Sequence, residues 1–365
     1  MSNTQWETLS NQAIAAAGVV YFLALLVHLA EWASLRQPAR ERELVGAGGP
    51  APAETVSATG GTAEAADAGV SPERVAFLGR LGFLLTVLAG VLHFVSLVGR
   101  GMAADPNRVP WGNMYEFTVS GTFVVTLLYV ALHRRFGLGW MGPLVVGFVV
   151  SVLMVAVIWL HDEVAPLTES LNSPWLVIHV VSAVIATGAF TLGGIASIMY
   201  LVRERAERRA VAAGRELSGW LARVPALPAL DRLAYRVHAF AFPVWTFAVL
   251  VTGPIWAHEA WSRYWNWDPK EVWAFITWVV YAGYLHARAT AGWKGRRAAM
   301  LALLGLATLW FNFIGINYFS TTSQHSYALH RPVEPTSYDV GLAGAGHEVS
   351  SWVRGTTDAP GRSSS

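Results

Sequence analysis

Residues Trp140–Leu160 read WMGPLVVGFVVSVLMVAVIWL, a run without one charged side chain. At ~1.5 Å per residue such a run crosses a bilayer core of about 30 Å as a single helix. Seven further stretches have the same character: Ala13–Leu35, Val75–Val98, Thr118–His133, Trp175–Val202, Arg236–Pro254, Val272–His286 and Ala299–Phe319. Thr118–His133 and Val272–His286 are short and are expected to be tilted or extended into their flanks. The pattern predicts an all-α, polytopic membrane protein with about eight transmembrane helices. The first stretch has Glu7 as the only charge before it, so it lacks the basic start of a cleaved signal and reads as a retained helix.

Composition fits that reading. The 365 residues are 54% hydrophobic and 14% charged, against about 25% charged in soluble domains. The charge is concentrated in short segments between the apolar runs. With both termini outside, most of the 26 lysines and arginines fall in the inner segments, as the positive-inside rule requires. The net charge of +2 and the absence of a basic patch leave no case for a nucleic-acid partner. There are no cysteines, which excludes disulfides and thiol chemistry by this chain. No paired-carboxylate spacing, Ser-His-Asp order or glycine-rich phosphate loop is present.

The expected organisation is a first helix (1–35), a disordered inner loop (36–74) rich in Ala, Gly, Pro and Thr, a membrane core (75–327), and a flexible outer tail (328–365). The Arg-rich segment 203–235 is expected to form an interfacial helix.

The segment 253–273, read as an outer loop, holds Trp256, Trp261, Trp265, Trp267 and Trp273 together with Tyr264. Aromatic residues collect at membrane interfaces, but five indoles within 18 residues exceed what anchoring needs. They supply a broad, rigid apolar surface edged by N–H donors. That suits a flat macrocycle with carboxylates, a porphyrin, and Arg263 and Lys270 can bond its propionates. Asp268, Pro269 and Glu271 read as N-cap, N1 and N3 of a capping box that starts the next helix.

Eleven histidines are present. Ser173 and Pro174 read as N-cap and N1, which puts His179 roughly 8–9 Å below the outer helix end, on the face of Trp175. His325 follows the last stretch, on the same side. Singly, each reads equally well as an interfacial histidine; beside the tryptophans, together, they read as axial iron ligands. His286, about 27 Å of helix from Asp268, lies at the opposite side. His93 and His28 read as buried and hydrogen-bonded, His258 as structural, and His133, His238, His330 and His347 as incidental. Asn113 and Glu116 are expected to brace the aromatic surface.

The string WSRYWNWDPKE at Trp261–Glu271 is similar to the tryptophan-rich WWD signature of heme-handling membrane proteins. With PWGNMYE at Pro110–Glu116, SPWLVIH at Ser173–His179, YLH at Tyr284–His286, and the 317–327 stretch around His325, the chain resembles the CcsA (ResC) family of system II cytochrome c biogenesis. The resemblance runs from about residue 93 to 327. It implies His179 and His325 as outer axial ligands of heme b, carried as substrate. It implies His286 as one ligand of an intramembrane heme whose second ligand comes from a ResB-type membrane partner subunit. Presentation of heme to the CXXCH thiols of apocytochrome c would follow. A b-type electron carrier, a transporter of another apolar solute, and a system I-type heme delivery protein are the competing readings. High Ala, Arg and Gly with two lysines favours a bacterial plasma membrane over a thylakoid.

Overall fold

Each apolar stretch folds into a helix longer than itself. In the computed structural model, which describes residues 1–34, 72–164, 171–320 and 323, the helices are α1 (Asn3–Ala33), α2 (Pro72–Ala103), α3 (Met114–Phe136) and α4 (Leu138–Leu160). They continue with α5 (Pro174–Ala212), α6 (Leu227–Trp261), α7 (Pro269–Ala289) and α8 (Arg296–Phe319). No strand occurs among the described residues. The chain is a polytopic helical membrane protein.

Local chemistry explains the bounds. Helix α1 begins well before its apolar run because Ser2 and Gln5 form a capping box. Helix α3 begins at Asn113, whose Oδ1 accepts from Glu116 N at 2.9 Å, and ends at Gly137 in the left-handed region (φ 60°). Helix α5 continues to Ala212 on the i,i+4 pairs Arg203–Glu207 and Glu204–Arg208. The single interfacial helix expected over 203–235 is therefore replaced by the end of α5, a short turn at Gly219–Arg223, and the start of α6.

Seven of the eight helices are long and apolar enough to cross a membrane. The exception is α7, which has the length but carries Lys270, Glu271, His286 and Arg288 near its ends and Trp273, Trp278, Tyr281 and Tyr284 along it. Residues 72–74 of the expected inner loop are already helical; its remainder and the tail 328–365 lie outside the described residues.

Side-chain pairs fix how the helices run. Ser10 meets Ser96, Tyr21 meets His93, and His28 meets Thr86, so α1 and α2 are antiparallel. His179 meets Ala248 while the His238 ring occupies the space beside Gly193, so α5 and α6 are antiparallel too. Lys270–Asn317, Thr277–Thr308 and Tyr281–Ala302 align α7 against α8 in the same sense. The alternation leaves a tryptophan-rich end and an arginine-rich end.

At the tryptophan-rich end a buried ion cluster ties α2 to α3. Arg100, 2% exposed, donates Nε–H to Glu116 at 3.0 Å, and its Nη2 donates to the Asp162 carbonyl. Arg108 Nη1 and Gly112 N each reach the same carboxylate at 2.7 Å. Cations so deep in an apolar bundle are tolerated because they are paired.

Candidate functional site

Among the described residues three helices contain a π-helical segment: Ala156–Leu160 in α4, Phe247–Thr252 in α6 and Phe311–Gly315 in α8. Such widened turns re-aim backbone carbonyls and side chains. In α6 the Ala248 carbonyl, which already accepts from Gly253 N, is presented to α5 and accepts from His179 Nδ1 at 2.9 Å. A carbonyl only accepts, so Nδ1 carries a proton. The imidazole lies nearly parallel to the Trp256 indole, 15° apart with centroids at 5.8 Å. Gly253 makes this approach possible: a Cβ there would lie 3.2 Å from the His179 ring and 3.0 Å from the Ala248 oxygen.

His179 lines two adjoining cavities, of about 190 Å³ and about 70 Å³. They share His179, Val249, Trp256, Lys270 and Ala274. The larger runs inward among α3, α4, α5, α6 and α8, walled mainly by apolar side chains such as Phe148, Trp245 and Phe313. Its polar points are few. Asn312, from the α8 π segment, keeps a buried Oδ1 without a hydrogen-bond partner among the described residues. The smaller cavity opens beneath Tyr264 and Trp265.

The tryptophans do not form one flat sheet. Trp256 is 2% exposed and packs with Trp111, Leu176 and Val180, with Trp261 edge-on at 4.9 Å. Trp265 meets Trp267 edge-on at 6.0 Å, and Trp267 stands out at 72% exposure. Trp273 packs on Phe311 of α8 at 4.2 Å. Tyr264 stacks on His258 at 4.3 Å, in keeping with a structural role for that histidine. Arg263 donates to Asn266 Oδ1 and lies at the exposed rim.

The start of α7 is built as the capping box predicts. Asp268 Oδ1 accepts from Lys270 N at 2.9 Å, and Glu271 Oε2 accepts from Asp268 N at 3.1 Å. Glu271 Oε2 also accepts from Asn266 N at 2.9 Å, so one carboxylate clamps both neighbours of Trp267 and holds that residue at φ 55°. Asp268 is 4% exposed, and its Oδ1 also accepts from Ser323 Oγ at 2.8 Å. Lys270 reaches from the cavity wall to Asn317 Oδ1 at 3.1 Å. His325 itself lies outside the described residues, as do His330 and His347.

His286 ends α7 at the arginine-rich end and is exposed, on the helix face of Phe275, Val279 and Gly283. His93 and His28 are buried as expected, at 0% and 1% exposure. His238 is buried among Phe190, Tyr281 and Tyr284, a packing role that its sequence context did not signal. Asn113 caps α3 and Glu116 pairs Arg100 and Arg108; together they fix the loop that delivers Trp111 to Trp256. Trp111, Gly253 and Asn312 were not among the expected site residues. Trp111 stands in the PWGNMYE string; the other two need tertiary contacts to be found.

The site is thus an apolar cavity walled by a backbone-oriented histidine, under a tryptophan-rich connection in a polytopic helical membrane protein. Residues 111–323 match the family model described as cytochrome C assembly protein. A "Cytochrome c biogenesis protein CcsA" from Guillardia theta is 33% identical over 260 residues, covering 68% of this chain and 85% of the relative. One from a Synechococcus strain is 30% identical, covering 71% and 88%. Among solved structures, "Cytochrome c Heme Lyase CcmF" shares the fold at a TM-score of 0.57 and 14% identity, over 97% of this chain and 52% of that one. The chain belongs to the cytochrome c assembly protein family, with CcsA proteins among its relatives.

Proposed function

We propose that this chain receives heme, holds its iron between His179 and His325 on the outer face of a bacterial plasma membrane, and presents the vinyl groups to the CXXCH thiols of apocytochrome c. The observation that carries the reading is the His179 geometry: Nδ1–H is committed to the Ala248 carbonyl beside an apolar cleft, the arrangement that orients imidazole ligands for metal. The anchor of Ser323 on Asp268 supports His325 as the second ligand, because Asp268 also starts the helix whose Lys270 lines the cleft.

At about 190 Å³ the larger cavity is smaller than the ~300–1,000 Å³ of sites that enclose a drug-sized ligand. An edge of the heme b macrocycle therefore enters, with the remainder covered by Tyr264, Trp265 and Trp267 and its propionates met by Lys270 and Arg263. Each thiol adds across one vinyl group: a carbon–sulfur bond forms and the thiol hydrogen ends on the neighbouring carbon. Holding both reactants in place can supply about 7–11 kcal/mol of the barrier.

The arginine-rich end faces inward on this reading, with both termini outside. His286, exposed beside Phe275 and Val279, is suited to sharing a heme with a ResB-type membrane partner subunit. A permanent b-type electron carrier is less well supported, since His93 and His238 are fully buried against aromatic side chains.

Coexpression with its partner and a reporter apocytochrome tests the proposal. Wild type is expected to yield covalent holocytochrome c and His179→Ala none, at equal membrane levels of the protein. Normal attachment by the variant overturns it.

A further inference from the structure

The arginine-rich end contains a cavity of about 340 Å³ that the heme reading does not use. Its wall is formed by His28 and Glu31 of α1, Arg80 and Phe83 of α2, and His133 and Arg134 of α3. Arg223, from the turn before α6, closes it and donates to Glu31 Oε1. Stacking of Trp220 on Trp32 at 4.4 Å fastens the same turn to α1.

The sequence makes room for His28 here. A Cβ on Gly82 would fall 2.7 Å from its ring, and one on Gly142 2.6 Å. The ring is 1% exposed, and Nδ1 is buried without a hydrogen-bond partner among the described residues, with Glu31 Oε2 3.7 Å away. His133, stacked on Phe83 at 4.1 Å, also keeps a buried, unpartnered Nδ1. Arg223 is neutralised by Glu31, whereas Arg80 and Arg134 make no salt bridge among the described residues. The cavity thus presents, beside two imidazoles that each keep a buried Nδ1 without a hydrogen-bond partner among the described residues, two guanidinium groups that make no salt bridge among those residues, the donor set for an oxyanion. Beside it, α2 exposes Phe77, Leu84 and Leu88 on one face.

We propose that this cavity binds the phosphate-bearing head group of an anionic membrane lipid, with the acyl chains along Phe77, Leu84 and Leu88. Basic pockets between transmembrane helices favour such head groups. The lipid would join α1, α2 and α3 to the turn before α6, locking the two halves of the bundle at the end remote from the tryptophans.

Native mass spectrometry of delipidated full-length protein in detergent, titrated with phosphatidylglycerol, phosphatidylcholine or inorganic phosphate, tests this. Phosphatidylglycerol is expected to bind roughly tenfold more tightly than phosphatidylcholine, with the preference lost in the double variant Arg80→Gln/Arg134→Gln. Arg135→Gln, at the same end but outside the cavity, is the charge control and should retain the preference. All three arginines are exposed, and far-ultraviolet circular dichroism checks that the helices persist. Equal binding of the two lipids, or a preference unchanged by the double variant, overturns the proposal. Displacement of phosphatidylglycerol by millimolar inorganic phosphate would assign the cavity to a soluble anion and also overturn it.

Discussion

His93 and His179 begin alike and end differently. Each gives one ring nitrogen to a backbone carbonyl at 2.9 Å, Val119 for His93 and Ala248 for His179. Around His93 the space is closed. Tyr21 OH lies 3.4 Å from its other nitrogen, Tyr21 in turn donates to Thr126, and Phe123 packs edge-on at 5.5 Å. Around His179 a π segment, a glycine and a large indole leave an apolar cleft instead. Closely packed helices enclose His93, whereas an irregular turn and a missing Cβ leave His179 on a cavity wall.

The strongest way to break that contrast is His179→Ala, which should lower heme retained per folded protein at least a hundredfold, measured by absorbance of the purified complex; losing only a group that hydrogen-bonds to a metal ligand already costs about 10–100-fold. Next is Glu116→Ala. Stranding Arg100 and Arg108 should cost about 3–5 kcal/mol of stability, read as thermal unfolding in detergent. His93→Ala should cost about 1–3 kcal/mol by leaving its partners unsatisfied, with heme bound per folded molecule unchanged. Heme loss matching that of His179→Ala would erase the distinction between the two histidines. The smallest and most diagnostic change is Gly253→Ala. One methyl at 3.2 Å from the imidazole should weaken heme binding roughly tenfold, with unfolding little altered.

Much of this was legible in the chain because the signals are local. Eight apolar runs give eight helices, and the Asp268–Glu271 capping box and the Ser173 cap need only neighbours in sequence. The interfacial helix over 203–235 failed for a local reason as well, since the i,i+4 pairs after Val202 prolong α5. The single aromatic platform was misleading, because composition cannot tell that Trp273 turns to Phe311 or that Trp256 sinks beside Trp111. The π segments, the space left by Gly253 and the slot around His28 arise only when separate helices meet.

The proposed bis-histidine site is tested most directly by the absorption spectrum of the reduced protein, purified with its membrane partner, for wild type, His179→Ala, His325→Ala and His93→Ala. Bis-histidine bands in wild type and His93→Ala, lost or shifted in both other variants, are the expected result. A colourless wild type, or a spectrum indifferent to His179 and His325, would contradict the assignment of heme to the tryptophan-rich end.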